Sequence, residues 1–196
     1  AGKPELAESL AEKNLSVFTK SEVPVTTSSP HCRQSFVGWY NGVSDEAPKA
    51  THIVELLHRS SKEGGMPEMQ GRFEKRVAYH DPCYLGRHAG IYDEPRELLE
   101  MVPGLELVEL RRNRKNSLCC GGGGGGAYRE TPQEERHALL RVDEAVDAGV
   151  EIIATACPLC LLMLEDALRV KNLEETMKIM DITEILLEGL GTAEES

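Results

Sequence analysis

The chain has 196 residues, of which 40% are hydrophobic and 28% are charged, as expected for one globular domain or one domain with part of another. Its 22 Lys and Arg against 33 Asp and Glu give a formal net charge of -11, which argues against nucleic acid or an anionic membrane as the main partner. Without a long apolar run or the features of a signal peptide, the sequence predicts a cytoplasmic protein.

The first third of the chain has an irregular pattern of elements. It predicts a helix over PELAESLAEKN, an extended segment over SEVPVTTSS, and a second helix near residues 52–60. Between the last two lies the sequence SPHC, which contains Cys32. The polar segment SSKEGGMPEMQGR then predicts a linker or an exposed loop.

From residue 76 onward, strands and helices alternate regularly. The predicted order is strand RVAYH, helix PRELLEM, strand LELVEL, helix 134–148, strand VEIIATA, helix CPLCLLMLEDALRV, strand MKIM and a last helix capped by Asp181 with Glu184. This alternation predicts an α/β fold in which helices flank a parallel sheet. We find no internal repeat in the sequence.

Five of the six cysteines follow predicted strands. Cys83 follows RVAYH, Cys119 and Cys120 follow LELVEL after a loop, and Cys157 and Cys160 follow VEIIATA. Ligand sites in parallel sheets gather beyond the carboxyl ends of the strands, so we expect these five thiols at one edge. In an intracellular chain, such cysteines indicate a metal or redox site more often than a disulfide framework.

The stretch SLCCGGGGGGAYRE combines adjacent cysteines with a run of glycines. Neighbouring Cα atoms, about 3.8 Å apart, are too close for an unstrained disulfide, but two neighbouring thiolates can reach different irons of one cluster. We interpret Gly121, Gly122 and Gly123 as positions where backbone N–H groups approach an anionic cluster. The alternative is a flexible surface loop, and no Gly-Lys-Ser/Thr follows to form a P-loop.

The CPLC sequence lies where a strand passes into a helix. A helix N-terminus favours thiolates, so Cys157 and Cys160 alone also fit a thioredoxin-like redox pair. A second alternative is a structural zinc site with four cysteine ligands, which needs neither a fifth cysteine nor an adjacent pair. The other cysteines at matching strand ends favour a shared metal site.

Two further features near the cysteines have open roles. His80 ends the strand RVAYH, where it can donate a hydrogen bond to a cluster sulfur, act as a proton donor, or cap the strand structurally. The basic run at residues 111–116 can compensate cluster charge, bind an anionic substrate or acidic partner, or form a solvated loop.

The cysteine pattern resembles the CCG, or cysteine-rich, domain of the heterodisulfide reductase family. The segments HDPCYLGR, IYDEPRELL, LCCGGGG and ACPLC carry the resemblance, which covers roughly residues 77–187. Related subunits occur in glycolate and lactate oxidases, anaerobic glycerol-3-phosphate dehydrogenase and membrane complexes associated with sulfite reduction.

The resemblance implies a cofactor and partners. It implies that Cys83, Cys119, Cys120, Cys157 and Cys160 hold a non-cubane [4Fe-4S] cluster that cleaves a disulfide or relays electrons between flavin and quinone partners. Five thiolates exceed the four that close a standard cluster. The implied partners are a flavoprotein, a ferredoxin-like subunit or a membrane cytochrome subunit, through which the protein would associate with a membrane.

The resemblance also implies a domain organisation, because family members usually carry two such domains in tandem. TSSPHC is similar to the end of the first domain, with Ser29 in place of that motif's first cysteine and Cys32 in the second place. We therefore expect residues 1–70 to be a degenerate remnant plus linker, and residues 71–196 to be an intact CCG domain. The chain is similar to the C-terminal part of a larger subunit, with Cys32 as a further candidate ligand.

Overall fold

The computed structural model describes residues 3–20 and 23–191 of the chain. The N-terminal part contains α1 (Pro4–Phe18), β1 (Val25–Thr27), α2 (Pro30–Gln34), α3 (Asn41–Val43), β2 (Ala50–His52) and α4 (Ile53–Lys62), with a π-helical turn between α2 and α3. The two helices predicted here are confirmed as α1 and α4. The predicted extended segment is confirmed at β1, while residues 21 and 22 of that segment lie outside the described part.

The rest of the chain follows the predicted order of elements. It contains β3 (Arg76–His80), α5 (Glu94–Glu100), β4 (Glu106–Val108), α6 (His137–Asp147), β5 (Ile152–Thr155), α7 (Pro158–Lys171), β6 (Lys178–Asp181) and α8 (Ile182–Leu190). The strand β4 ends earlier than predicted because Glu109 turns away into ion pairs with arginines. The helix α6 begins at His137, after a 3-10 turn over 133–135, instead of at residue 134.

The main sheet has four parallel strands in the order β4-β3-β5-β6. The chain runs from β3 to β4 on one side and then crosses to β5 on the other, so the strand order reverses between β3 and β5. The carboxyl ends of these two strands lie side by side, with His80 paired to Thr155. A crevice beyond this point is where parallel α/β sheets bind their ligands.

Helices cover both faces of this sheet, as the sequence predicts. On one face, Tyr79 and Ile152 pack with residues of α5 and α8. On the other face, Ala78 and Ile153 pack with residues of α6 and α7. The two central strands are buried on both sides, which explains why VEIIATA reads as a continuous apolar run instead of an alternating one.

The N-terminal part repeats the order of the last four elements. The strands β1 and β2 form a small parallel sheet, as β5 and β6 do, and each strand is followed by a helix. Ser29 caps α2 just as Cys157 caps α7, and a proline follows in both. The helices α4 and α8 both begin with a capping box, confirmed at Asp181 for α8.

The predicted linker is only partly a loop. The helix α4 continues into it as far as Lys62, and Met69 then packs against the core instead of facing solvent. The N–H of Gly71 donates to the carbonyl of Gly189 at 2.9 Å, and a Cβ at Gly71 would lie 2.0 Å from the Glu188 carbonyl oxygen. Within residues 3–20 and 23–191, no helix is both long and apolar enough to cross a membrane.

Candidate metal centre

The loops that follow three neighbouring strands bring the five predicted ligand cysteines to one edge of the main sheet. Cys83 lies in the turn after β3, and Cys119 and Cys120 lie in the loop between β4 and α6. Cys157 is the residue before α7, and Cys160 lies in the first turn of that helix. The topology of the sheet therefore places all five where its strand order reverses.

Their sulfur atoms form one connected group. The Sγ atoms of Cys160 and Cys120 are 3.3 Å apart, Cys120 contacts Cys119, and Cys119 contacts Cys83. Cys157 joins the group through a hydrogen bond with Cys160. All of them are free thiols, and Cys120, Cys157 and Cys160 are buried in an apolar cluster. The adjacent pair therefore does not form a disulfide.

In the hydrogen bonds between these thiols, some sulfurs mainly accept and others mainly donate, and this shifts their pKa values in opposite directions. Hydrogen bonds from Cys120 and Cys83 hold the pKa of Cys119 well below the usual range of a cysteine. A hydrogen bond from Cys160, supported by N–H groups at the start of α7, lowers the pKa of Cys157 to about 6. Donation to Cys119 raises the pKa of Cys120 to about 11 and raises that of Cys83 further. These shifts favour loss of the proton at Cys119 and Cys157, and the thiolate is the form in which cysteine binds a metal.

The glycine run wraps around the paired cysteines. Gly121 has a left-handed backbone, with φ of 84°, and its N–H donates to the Sγ of Cys119 at 3.4 Å. A Cβ at Gly122 would lie 2.8 Å from the Cγ of Met163, and one at Gly126 would lie 2.0 Å from the carbonyl oxygen of Gly121. The loop can therefore pack this closely only without side chains at Gly122 and Gly126.

His80 is fully buried at the end of β3, beside the sulfur group. One of its ring nitrogens and the Sγ atoms of Cys120 and Cys160 lie within 4.8 Å of one another. Its Nδ1 accepts a hydrogen bond from Arg141 at 3.2 Å, and its Nε2 is buried without a partner among the described residues. Burial and the charge of Arg141 lower the pKa of His80 to about 3, so the ring is neutral.

His31, at the start of α2, reaches the same site from the N-terminal part. Its Nδ1 lies 4.0 Å from the Sγ of Cys157, and its Nε2 is buried without a partner among the described residues. Its ring packs on Tyr84 at 4.2 Å, and Tyr84 stacks on His88 at 4.3 Å. Sequence reasoning missed His31 because Cys32 is the more conspicuous metal ligand in SPHC, and no local signal in that segment places the histidine beside Cys157.

Cys32 is exposed and neighbours His31 on α2. The described contacts that join the other five thiols do not include it. It is also absent from the compact group that a ring nitrogen of His80 forms with the sulfurs of Cys120 and Cys160. Its side chain therefore occupies a different environment from the sulfur group.

A buried ion-pair network supports the loops that carry the cysteines. Arg96 of α5 binds both carboxylate oxygens of Asp81, at 2.7 and 3.0 Å, and also pairs with Glu109 after β4. Asp81 in turn accepts from the backbone N–H of Arg114 at 2.8 Å. Asp81 precedes the turn of Cys83, and Arg114 lies in the loop that leads to Cys119. We name this network, formed by Asp81, Arg96, Glu109 and Arg114, the arginine brace.

The basic run at residues 111–116 is largely engaged within the chain. Arg112 pairs with Glu144 of α6, and Arg114 pairs with Asp93 and Glu109. The paired arginines tie the loop before the cysteines to α5 and α6. The side chains of Arg112 and Arg114 are therefore already paired within the chain, whereas that of Arg111 is 82% exposed.

A cavity of about 650 Å³ opens beside the sulfur group. Its wall includes Cys120, the glycine run and the side chains of Leu162 and Met163 on α7. Arg136 also borders it and pairs with Asp166. Cys120 is only 4% exposed but lies in the wall of this cavity, so a molecule bound there would lie beside the sulfur group.

Known proteins are similar to this chain across its cysteine motifs and beyond them. A family profile described as "Cysteine-rich domain" (CCG) matches residues 77–165. Over 186 residues the chain is 35% identical to a probable iron-sulfur-binding oxidoreductase FadF of Bacillus subtilis, covering 94% of this chain and 26% of that protein.

Two other relatives have a similar sequence identity to this chain. The chain is 31% identical to one subunit of the dihydromethanophenazine:CoB--CoM heterodisulfide reductase of Methanosarcina acetivorans, covering 97% of this chain and 47% of the relative. It is 30% identical to an EtfAB:quinone oxidoreductase of Syntrophomonas wolfei, covering 96% of this chain and 27% of the relative. The chain therefore spans between a quarter and a half of the length of these relatives.

Proposed function

Because residues 77–165 of this chain match the CCG cysteine-rich domain family, we propose that the chain is the electron-transfer part of an iron–sulfur oxidoreductase subunit. The proposed ligands are Cys83, Cys119, Cys120, Cys157 and Cys160, and the proposed cofactor is a non-cubane [4Fe-4S] cluster. When bound, such a cluster supplies one-electron chemistry at a potential that the surrounding protein adjusts.

The observation that carries the proposal is the connected group of five free thiols. Its chemistry fits an iron–sulfur cluster, since iron in such clusters is held by thiolates. Five sulfurs exceed what one tetrahedral zinc ion takes, and a sulfur contact at 3.3 Å links the CPLC pair to Cys120. The thiol group is therefore larger than either a zinc site or an isolated redox pair requires.

The glycine run supports the same assignment. Its N–H groups point at the paired cysteines, from Gly121 to Cys119 and from Gly122 to Cys120. Hydrogen bonds from backbone N–H groups to cluster sulfurs are one of the means by which a protein sets the cluster potential. We propose that Gly121 and Gly122 have this role, with Gly123 as the third candidate that the sequence predicts.

We also propose the domain organisation predicted from the sequence. Residues 71–196 would form an intact CCG domain, and residues 1–70 would be a remnant of a preceding one. The support is the repeated order of strands and helices, in which Ser29 and Cys32 occupy the places of Cys157 and Cys160.

The partners proposed here are other redox subunits. The relatives are named as a heterodisulfide reductase subunit, a quinone oxidoreductase and a probable membrane-anchored ferredoxin. We propose that this chain exchanges electrons with a flavoprotein, a ferredoxin-like subunit or a membrane cytochrome subunit. It would be cytoplasmic, with any membrane association provided by such a partner.

The cavity beside Cys120 favours a second, more specific activity, which is disulfide reduction. A site used only for electron relay needs no space for a substrate, whereas a cavity of about 650 Å³ is large enough for a small organic molecule. One disulfide would take two electrons, from the redox partner by way of the centre, and two protons, and would leave as two thiols.

A variant that narrows the cavity tests this activity. Leu162 on α7 is 52% exposed and borders the cavity, whereas Leu140 on α6 is 42% exposed and lies outside it. With the reduced, cluster-loaded protein, we expect Leu162→Trp to slow reoxidation by hydroxyethyl disulfide about tenfold or more, because the indole fills the approach to Cys120. Stopped-flow absorbance measures the rate, and a thiol assay measures the thiols formed, which should equal one for each electron that the centre gives up, so that two reduced chains convert one disulfide into two thiols.

Leu140→Trp is the matched control and should react at the wild-type rate. Reoxidation by a soluble quinone analogue, measured on the same samples, distinguishes relay from disulfide chemistry. Oxidation by the quinone alone, with no thiol released from the disulfide, would leave electron transfer as the function and reject disulfide reduction. A centre that takes up no electrons would reject both.

A further inference from the structure

The hydrogen bond from Arg141 determines where His80 carries its proton. A guanidinium has N–H donors only, so the Nδ1 that it contacts at 3.2 Å must present a lone pair. A neutral imidazole has one proton, which is then on Nε2. This nitrogen is a buried N–H donor that makes no hydrogen bond with the described residues.

The guanidinium of Arg141 cannot turn away from His80, because its other N–H groups are also bound. It is fully buried, and it donates to the carbonyl oxygens of Arg112 at 2.6 Å and Tyr79 at 3.2 Å. It also pairs with the Glu144 carboxylate at 2.9 Å. These three acceptors fix the guanidinium, and with it the tautomer of His80.

This arrangement is the opposite of that around a metal-binding histidine. A histidine that binds a metal through one nitrogen almost always donates the other N–H to a carboxylate, a carbonyl or water. Here the other nitrogen of His80 accepts from Arg141 instead of donating. To bind a metal through Nε2, the ring would have to lose its only proton or break the hydrogen bond from Arg141.

We propose that His80 is a hydrogen-bond donor to the sulfur centre at Cys120 and Cys160, and not a ligand of its metal. A ring nitrogen of His80 and these two Sγ atoms lie within 4.8 Å of one another. A buried N–H without an acceptor is costly, and a thiolate or a sulfide of the proposed cluster would supply the acceptor. The inference rests on the proposed iron–sulfur function, and it gives His80 the role of adjusting the reduction potential of that site.

The hydrogen bond from His80 is expected to raise the reduction potential of the sulfur centre. An N–H donor stabilises the more negatively charged, reduced state of the centre, so its removal makes reduction less favourable. We expect His80→Leu to lower the ratio of reduced to oxidised centre about tenfold at a fixed potential, a shift of about 59 mV to more negative values for one electron. His80→Gln should recover most of this shift, since its amide N–H can replace Nε2–H.

The experiment is an EPR-monitored redox titration of anaerobically purified, cluster-loaded protein, with iron measured on every sample. His58→Leu is the matched control, because His58 pairs with Glu97 and makes none of the described contacts with the sulfur group. Its midpoint potential should equal that of the wild type. An unchanged midpoint potential in His80→Leu, with iron content retained, would overturn the inference and leave the proposed function intact.

A second measurement uses the wild-type protein, so that the inference can be tested even if His80→Leu fails to fold. Pulsed EPR of protein labelled with ¹⁵N-histidine separates a nitrogen bonded to iron, which couples strongly, from one that only donates a hydrogen bond, which couples weakly. Weak coupling that is lost in His80→Gln supports the inference. Strong coupling that is lost in the same variant would identify His80 as a ligand and overturn it. Wild-type protein without iron and sulfide would reject the proposed function itself.

Discussion

Replacement of Cys120 by Ser is expected to remove most of the iron from the anaerobically purified protein. Cys120 is only 4% exposed, and it links Cys119 on one side to Cys160 at 3.3 Å on the other. Serine is a poor ligand for iron in a site built from thiolates, so the loss should exceed half of the bound iron. Iron and acid-labile sulfide assays measure it, and circular dichroism shows that the chain remains folded.

Cys32→Ser is the matched control for this prediction. It makes the same chemical change at an exposed cysteine that lies outside the sulfur group. We expect its iron and sulfide content to equal that of the wild type. Equal loss in both variants would mean that Cys32 is a ligand, and retention of iron in Cys120→Ser would contradict the assignment of Cys120.

Replacement of Arg96, the central arginine of the arginine brace, is expected to have the largest effect on the free energy of unfolding. Arg96 and Asp81 are both buried, and Arg96→Met would leave the Asp81 carboxylate without its main partner. Although burial opposes the charge, the hydrogen bonds to Asp81 and Glu109 raise the pKa of Arg96, so the arginine remains charged. Breaking a buried pair in this way costs about 3–5 kcal/mol of the free energy of unfolding.

Urea unfolding of wild type and Arg96→Met measures this loss, with Arg72→Met as the control. Arg72 forms an ion pair with Glu74 in which both side chains are more than two-thirds exposed. Exposed pairs contribute about 0–1 kcal/mol, so Arg72→Met should unfold close to the wild type. A similar small loss in Arg96→Met would contradict the role of the arginine brace in holding the cysteine loops.

The main features of the fold and the site could be predicted from the sequence because they depend on local signals. The run VEIIATA predicts a buried strand, and the Asp181 and Glu184 pair predicts the start of α8; both are confirmed. Parallel strands end at one edge of a sheet, so cysteines that follow successive strands must lie close together. This can be predicted without knowing any individual contact. The five-cysteine group follows from this topology.

The parts that could not be predicted depend on contacts between residues far apart in the chain. Nothing local in SPHC indicates that His31 lies 4.0 Å from Cys157, because α2 reaches the site only through the packing of the N-terminal part. Arg96 looks like an ordinary surface residue of the helix PRELLEM, yet it is buried against Asp81 and Glu109. The proton position on His80 likewise requires its contact with Arg141.

The number of iron and acid-labile sulfide atoms per chain, with zinc measured on the same anaerobic sample, tests the proposed centre most directly. We expect about four iron and about four sulfide atoms per chain, together with an EPR signal after oxidation or reduction. Zinc without sulfide would contradict the electron-transfer function and indicate a structural metal site at the same cysteines. A folded chain without any metal would contradict it too, and would leave thiol chemistry at Cys157 and Cys160 as the alternative.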